Sequence, residues 1–290
     1  MIEGNKGAGL PVCLATALAV AAILLIFIMV FAFALPVFSA DDNGINAHLF
    51  SWQWKPAKGQ FGILPMVAGS LALSCLAVTI AFPIAAGIAF WLQTRPNQRK
   101  PRHFLPTMVA LVIRFMTAIP TVVYGFVAVF LLVPFIRQIL SSGSGLNLLS
   151  AALILALLIL PTMVLVMDTG LKPRMEHLSF DTAALGFNRR QTLIYFVLPA
   201  ARQCLLTALL LGFSRAMGDT LISLMLSGNW PQLPLHFSDS LRTLTAHMAL
   251  VTANEVGGIA YNSLFAAGAL LLLINASISL IVRRLGEKQI

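Results

Sequence analysis

Arg215 and Asp219 sit inside a long apolar stretch and lie four positions apart. In one unbroken helix they share a face and can pair. A guanidinium is a planar fork of donors that matches the oxygens of a tetrahedral oxyanion. Thr121, Tyr124 and Thr220 can add hydroxyl donors, and Pro120, next to Thr121, loosens helix hydrogen bonding. In this arrangement Asp219 holds the arginine while the site is empty and accepts a hydrogen bond from a protonated phosphate. Sulfate at neutral pH has no such proton to offer. The same two residues also fit a blander role, a buried ion pair that locks helices together.

Composition names the scaffold that must position them. Of 290 residues, 59% are hydrophobic and 10% charged, far from the roughly 45–50% and 25% of soluble domains. The chain is read as an all-α, polytopic membrane bundle forming one integral membrane domain over 1–290. About 20 apolar residues cross a bilayer core, and six stretches qualify, at 12–38, 66–92, 107–135, 148–168, 200–226 and 259–282. Arg114 and Pro120 interrupt the third, Pro161 the fourth, and Arg215 with Asp219 the fifth. Such interruptions must face protein or a water-filled cavity. With a fifth span starting near Ala200, Arg215 lies roughly 22 Å in. A third span rising from about Pro106 brings Pro120 and Thr121 to a similar level, so the two motifs can meet. Arg114, about 12 Å in by the same count, is expected to snorkel to the headgroups. The first span is read as an anchor, because its apolar run is long for a cleaved signal and Phe38, just before Ser39 and Ala40, fills a site that cleavage wants small.

A net charge of +9 raises the possibility of a nucleic-acid partner. The distribution excludes it. Lys6, Arg95, Arg99, Lys100, Arg102, Lys172, Arg174, Arg189, Arg190, Arg283, Arg284 and Lys288 fill the gaps on one side of the membrane, against only Lys55, Lys58, Arg137 and Arg242 on the other. This asymmetry puts both termini in the cytoplasm and the segments near 39–65, 136–147 and 227–258 outside. Trp52, Trp54, Trp91 and Trp230 lie near span ends as interfacial anchors, and the Ser-Gly run at 141–145 is a turn. Cys13, Cys75 and Cys204 show no paired spacing, and His48, His103, His177, His236 and His247 show no metal-ligand spacing. Asp168 is expected to end span four in cytoplasmic water.

Between spans four and five, residues 169–199 are longer than a turn needs to be. Ser179 or Asp181 can cap a short helix through Leu185, Gly186 can end it, and the region from Asn188 to Gln191 can open a second. Two short helices at an angle suit a groove on another protein. The stretch resembles the cytoplasmic signature of ABC-transporter permeases, in which small residues precede a glycine thirteen positions before a Leu-Pro proline. Gly186 and Pro199 have that separation, within Leu198-Pro199-Ala200-Ala201. The motif's opening glutamate falls at Phe180, with Asp181 one place later, and Ala183 and Ala184 stand as the small residues.

The likeness extends along the chain through Phe61-Gly62-Ile63-Leu64-Pro65, Ile119-Pro120-Thr121-Val122-Val123-Tyr124-Gly125, Ser214-Arg215-Ala216-Met217-Gly218-Asp219-Thr220 and Ser227-Gly228-Asn229. Together these resemble the phosphate-specific permeases of the PstC type, with Asp219 where glutamate is usual and Thr121 where serine is usual. The resemblance implies a type I ABC importer permease fold in the bacterial inner membrane, with Arg215, Asp219, Thr220, Thr121 and Tyr124 on the substrate path. It also implies coupling through Asp181, Ala183, Ala184, Gly186, Arg189 and Pro199 to a dimeric ATP-binding subunit. The other implied partners are a second, PstA-type permease and an extracytoplasmic phosphate-binding protein. No GxxxxGK[ST] phosphate loop occurs, so the chain is expected to bind no cofactor itself and to leave ATP to the partner. Two rivals remain: a permease for molybdate, sulfate or phosphonate, and an intramembrane lipid-modifying enzyme working near Asp168, Glu176, His177 and Asp181, which lack a nucleophile-and-base spacing.

Overall fold

The computed structural model describes residues 6–38, 50–94, 104–140, 143–254 and 258–287. Ser39 and Ala40, His48, the basic run from Arg95 to Arg102, His103, the first two residues of the 141–145 turn and Lys288 lie outside them.

The described residues are mostly helical. Helix α1 (Lys6–Phe38) is followed by a short antiparallel hairpin of β1 (Trp54–Lys55) and β2 (Gln60–Phe61). Then come α2 (Leu64–Thr94), α3 (Phe104–Ala118), α4 (Thr121–Leu140) and α5 (Leu148–Ala184). The second half holds α6 (Arg189–Ala200), α7 (Arg202–Met217), α8 (Leu221–Leu226), α9 (Leu244–Asn254) and α10 (Gly258–Glu287). Among the described residues five helices are long and apolar enough to span a membrane, and α6 with α7, bent by 71° at Ala201, makes a sixth if the pair counts as one span.

Helix α5 is the central post. Ala77, Ala81, Ala85 and Ala89 recur every four residues along α2 and are buried. They form a stripe of small side chains that lets α5 approach with Ala151, Ala152, Leu155, Ala156 and Ile159. On its other side, a Cβ on Gly170 would strike Cys204 Sγ and one on Gly212 would lie 2.8 Å from Met163 Sδ, so α7 packs against α5 through bare backbone. Asn147 caps α5 by accepting the Ser150 N–H at 2.9 Å. By contrast α1 packs chiefly on α10, through the Phe33–Phe265 stack and buried Ala34. An apolar helix exposed on most of its surface belongs in lipid.

Three elements differ from the sequence reading. Span four runs on through Pro161 and Pro173 to Ala184, 37 residues in all. That is about 55 Å, against a core of about 30 Å, and the charges from Lys172 onward are tolerated because that end stands clear of hydrocarbon. Spans three and five are each broken, at Ile119–Pro120 and at Gly218–Thr220. Trp54 packs edge-on to His247 at 4.4 Å and to Phe61 at 5.7 Å, against a small core that includes Met66 and Leu244. Asp168 does not simply face water either, since it accepts a hydrogen bond from the buried Gln93 amide at 2.6 Å.

Candidate functional site: two broken spans and a bent coupling segment

Helix α7 stops at Met217, and Gly218 closes it by donating to Ser214 O at 3.1 Å. Asp219 then turns its carboxylate forward, and Oδ2 accepts the Ile222 N–H at 2.8 Å to cap α8. The break moves Arg215 and Asp219 out of helical register. Their side chains therefore do not form the expected same-face ion pair. No Arg215–Asp219 contact within 4 Å is made, whereas His236 and Asp239 do pair, at 3.6 Å.

The backbone freed by this break is held from an unexpected direction. The Asp219 carbonyl accepts Ser223 Oγ at 3.0 Å and Thr245 Oγ1 at 2.9 Å. Thr245 in turn lies 3.1 Å from the Thr243 hydroxyl, which caps α9 by accepting the Ala246 N–H at 3.1 Å. Ser70 of α2 accepts the Leu244 N–H at 2.8 Å. Ser70, Ser223, Thr243 and Thr245 are all buried, so hydroxyls substitute for the helical bonds lost at the break. One residue before Arg215, Ser214 Oγ donates to Asn275 Oδ1 at 2.7 Å and ties α7 to α10.

The third span breaks at Pro120, and Thr121 begins α4. Tyr124 is buried and donates its hydroxyl to Met116 O at 2.9 Å, stapling α3 to α4 across the break. That donor is spent, so Tyr124 is a strut and not the free hydroxyl expected of it. Gly125 brings α4 onto α8, for a Cβ there would lie 2.7 Å from Met225 Sδ. The two breaks do meet: Arg215 is close enough to couple electrostatically to both Tyr124 and Asp219. Thr121, Asp219 and Thr220 are half-buried, and Arg215 is exposed on this chain's surface. The site thus gathers a guanidinium without a carboxylate partner beside the N-terminal turn of a 20-residue helix, whose first amides and dipole favour an anion.

At the other end of α7 lies the bent segment. The expected cap at Ser179 or Asp181 does not form, because α5 simply continues to Ala184. Gly186 does terminate it, at φ +82°, with Gly186 N–H on Ala183 O at 3.0 Å and Phe187 N–H on Thr182 O at 2.9 Å. Asn188 and Gln191 form a reciprocal capping box for α6. One π turn, Leu193–Val197, and Leu198–Ala200 complete α6. The two arms are locked by the Thr182–Thr192 hydroxyl contact at 2.8 Å and by Phe187 edge-on to Phe196 at 5.3 Å. Asp181, Ala183, Ala184, Gly186 and Pro199 are exposed along this corner and Arg189 is half-buried. Beside them Phe180, Leu185 and Tyr195 present large apolar surface, Phe180 at 83% exposure.

Sequence reasoning missed Thr243, Thr245 and His247. Nothing in their spacing marks them, since they reach the site through α9, which is too short to span. His247 is fully buried against Trp54, and burial, with Arg242 nearby, pulls its imidazole down to about 3.

Comparison with known proteins agrees with this architecture. A family model described as the binding-protein-dependent transport system inner membrane component matches residues 81–289. The probable ABC transporter permease protein YqgH of Bacillus subtilis is 34% identical over 253 residues, covering 85% of this chain and 80% of that protein. The phosphate transport system permease protein PstC of Haemophilus influenzae is 27% identical over 287 residues, covering 90% and 88%. PstC of Pasteurella multocida is 28% identical over 279 residues, covering 87% and 84%. An inward-facing structure of the MetNI methionine ABC transporter superposes with a TM-score of 0.57 at 19% identity, covering 80% of this chain and 99% of that one, a likeness of fold alone. The chain belongs to the binding-protein-dependent transport system inner membrane components, as an ABC importer permease: a transport subunit, not an enzyme, working with an ATPase carried on another chain.

Proposed function

We propose that this chain is the permease subunit of an ATP-driven importer that moves inorganic phosphate across the cytoplasmic membrane. One observation carries the reading: Arg215 lies at a pair of helix breaks while Asp219, the carboxylate nearest in sequence, is committed to the Ile222 amide. A cation at that depth must face protein or a water-filled path. Exposed on this chain alone, it lines half of a path that a second, PstA-type permease completes. Thr121 and Thr220 flank it with hydroxyls. The PstC relatives support phosphate over other oxyanions.

In this reading both termini are cytoplasmic, and the corner formed by Asp181, Ala183, Ala184, Gly186, Arg189 and Pro199 docks on a dimeric ATPase. Phe180, Leu185 and Tyr195 supply the apolar contact. A phosphate-binding protein delivers the anion from outside, and ATP hydrolysis shifts the path between outward and inward openings. The test is uptake of radiolabelled phosphate by the complete complex in proteoliposomes. Arg215→Gln should abolish uptake in a correctly assembled complex, and unchanged uptake overturns the path role. Faster import of labelled sulfate or molybdate than of phosphate overturns the substrate assignment.

A further inference from the structure

Arg242 lies beyond the span-five break, where the loop from Ser227 to Leu241 returns to the bundle. The loop is closed by Leu241 N–H on Ser227 O at 2.9 Å and by a backbone bridge between Gly228 and Leu241. Arg242 Nε donates to Asn229 O at 2.8 Å, and Asn229 is itself anchored to Leu224 O of α8 at 2.6 Å. On the far side the Arg242 carbonyl is pressed against Gly69 of α2, with no room for a Cβ there. Backbone and Nε are thus held, while among the described residues the two terminal nitrogens of the fork make no hydrogen bond.

Among the described residues no carboxylate pairs with its charge. Asp239, the nearest carboxylate in sequence, accepts the Leu235 and His236 N–H groups at 2.9 and 2.8 Å and pairs with the His236 ring at 3.6 Å. Arg242 is half-buried, and burial lowers its pKa from the ordinary arginine value. A partly desolvated cation with no counter-charge is costly, and an anion beside it relieves the cost. The position is also close to the break. Three residues on, Thr245 touches the Asp219 carbonyl, and a chain of three residues reaches at most about 10 Å.

We propose that Arg242 is a second anion-binding position, at the outer mouth of the path, which takes a tetrahedral oxyanion before it passes to Arg215. The proposal rests on reading the chain as an oxyanion permease and adds an entry step to it. It is tested in the complete complex with binding protein, following labelled inorganic phosphate uptake and ATP hydrolysis together. Arg242→Gln should lower the uptake rate about tenfold or more, the loss of a charge-assisted hydrogen bond, while ATP hydrolysis stimulated by the binding protein persists. Arg242→Lys, which keeps the charge and loses the fork, should recover part of the uptake that Arg242→Gln loses without reaching that of the unaltered complex. Wild-type uptake by Arg242→Gln overturns the proposal. So does Arg242→Lys failing as badly as Arg242→Gln, which would assign the residue to the Asn229 bond alone. Should the glutamine variant not assemble, Arg242→Met is compared with Arg242→Lys by the same criterion. Arg215→Gln run alongside separates the readings: normal uptake there removes the whole path, whereas loss there with normal Arg242→Gln uptake removes only the entry step.

Discussion

Gly186 isolates the shape of the coupling corner from every other property of it. Its φ is +82°, and a Cβ added there meets nothing within 4 Å, so alanine introduces conformational cost without a clash. The left-handed region costs a residue with a side chain roughly 1–2 kcal/mol, a factor of about 5–30 against the closed turn. The turn's backbone bonds, Gly186 to Ala183 and Phe187 to Thr182, open together when it relaxes, and the Thr182–Thr192 contact between α5 and α6 opens with them. Gly186→Ala should therefore weaken binding of the isolated ATPase to the solubilised permease by at least about fivefold. Gly186→Asn should recover most of it, because asparagine visits this region readily. Titration of labelled ATPase gives the dissociation constants, and phosphate uptake in proteoliposomes should fall in the same order. An alanine variant that binds like the unaltered protein, or an asparagine variant worse than alanine, would refute the claim that the corner's geometry sets docking.

Two further predictions concern packing. His247 is neutral when folded, with a pKa of about 3 against roughly 6.5 unfolded. The unfolded chain then binds the extra proton, so stability is full above about pH 6.5 and falls as pH drops toward 3, by about 1.4 kcal/mol per unit. The melting temperature of the solubilised protein should drop between pH 7 and 5, and His247→Phe should flatten that dependence; an equally steep drop in the variant rejects the assignment. Gly170→Ala forces a Cβ onto Cys204 Sγ, overpacking that costs roughly 1–3 kcal/mol. Adding Cys204→Ala should return most of the loss in a double-mutant cycle of thermal unfolding, and an equal loss with and without the cysteine sulfur would show that the two helices do not meet there.

Much of this architecture is legible in the chain because hydrophobic burial leaves a direct record. The apolar runs of α2, α5 and α10 are found by length alone, and Gly186 and the Asn188–Gln191 pair announce a stop and a start by residue type. What hydropathy hides is the interruption of a span. Gly218-Asp219-Thr220 is a helix stop followed by a capping carboxylate. A window wide enough to detect a span averages it with the apolar Leu221–Leu226 beyond. Likewise, Lys172 and Arg174 mark where hydrocarbon ends, which is not where a helix must end, so α5 overruns its expected limit. The links through Ser70, Thr243 and Thr245 join positions far apart in the chain, and only the fold brings them together.

The failure of the expected ion pair changes the chemistry of the site. A same-face Arg215–Asp219 pair in a continuous helix would be close to neutral, and an arriving anion would have to displace the carboxylate before meeting the guanidinium. With the helix broken, the carboxylate's acceptor capacity goes to the Ile222 amide and the guanidinium is left available. The break has its own cost in lost backbone bonds, which the Ser223 and Thr245 hydroxyls offset at the Asp219 carbonyl. Irregular backbone at membrane depth persists only where it is buried in protein or lines a water-filled cavity. In span five one face of the break is buried against α9 and the other carries the exposed Arg215, an arrangement that supports the proposed path over a lock between helices.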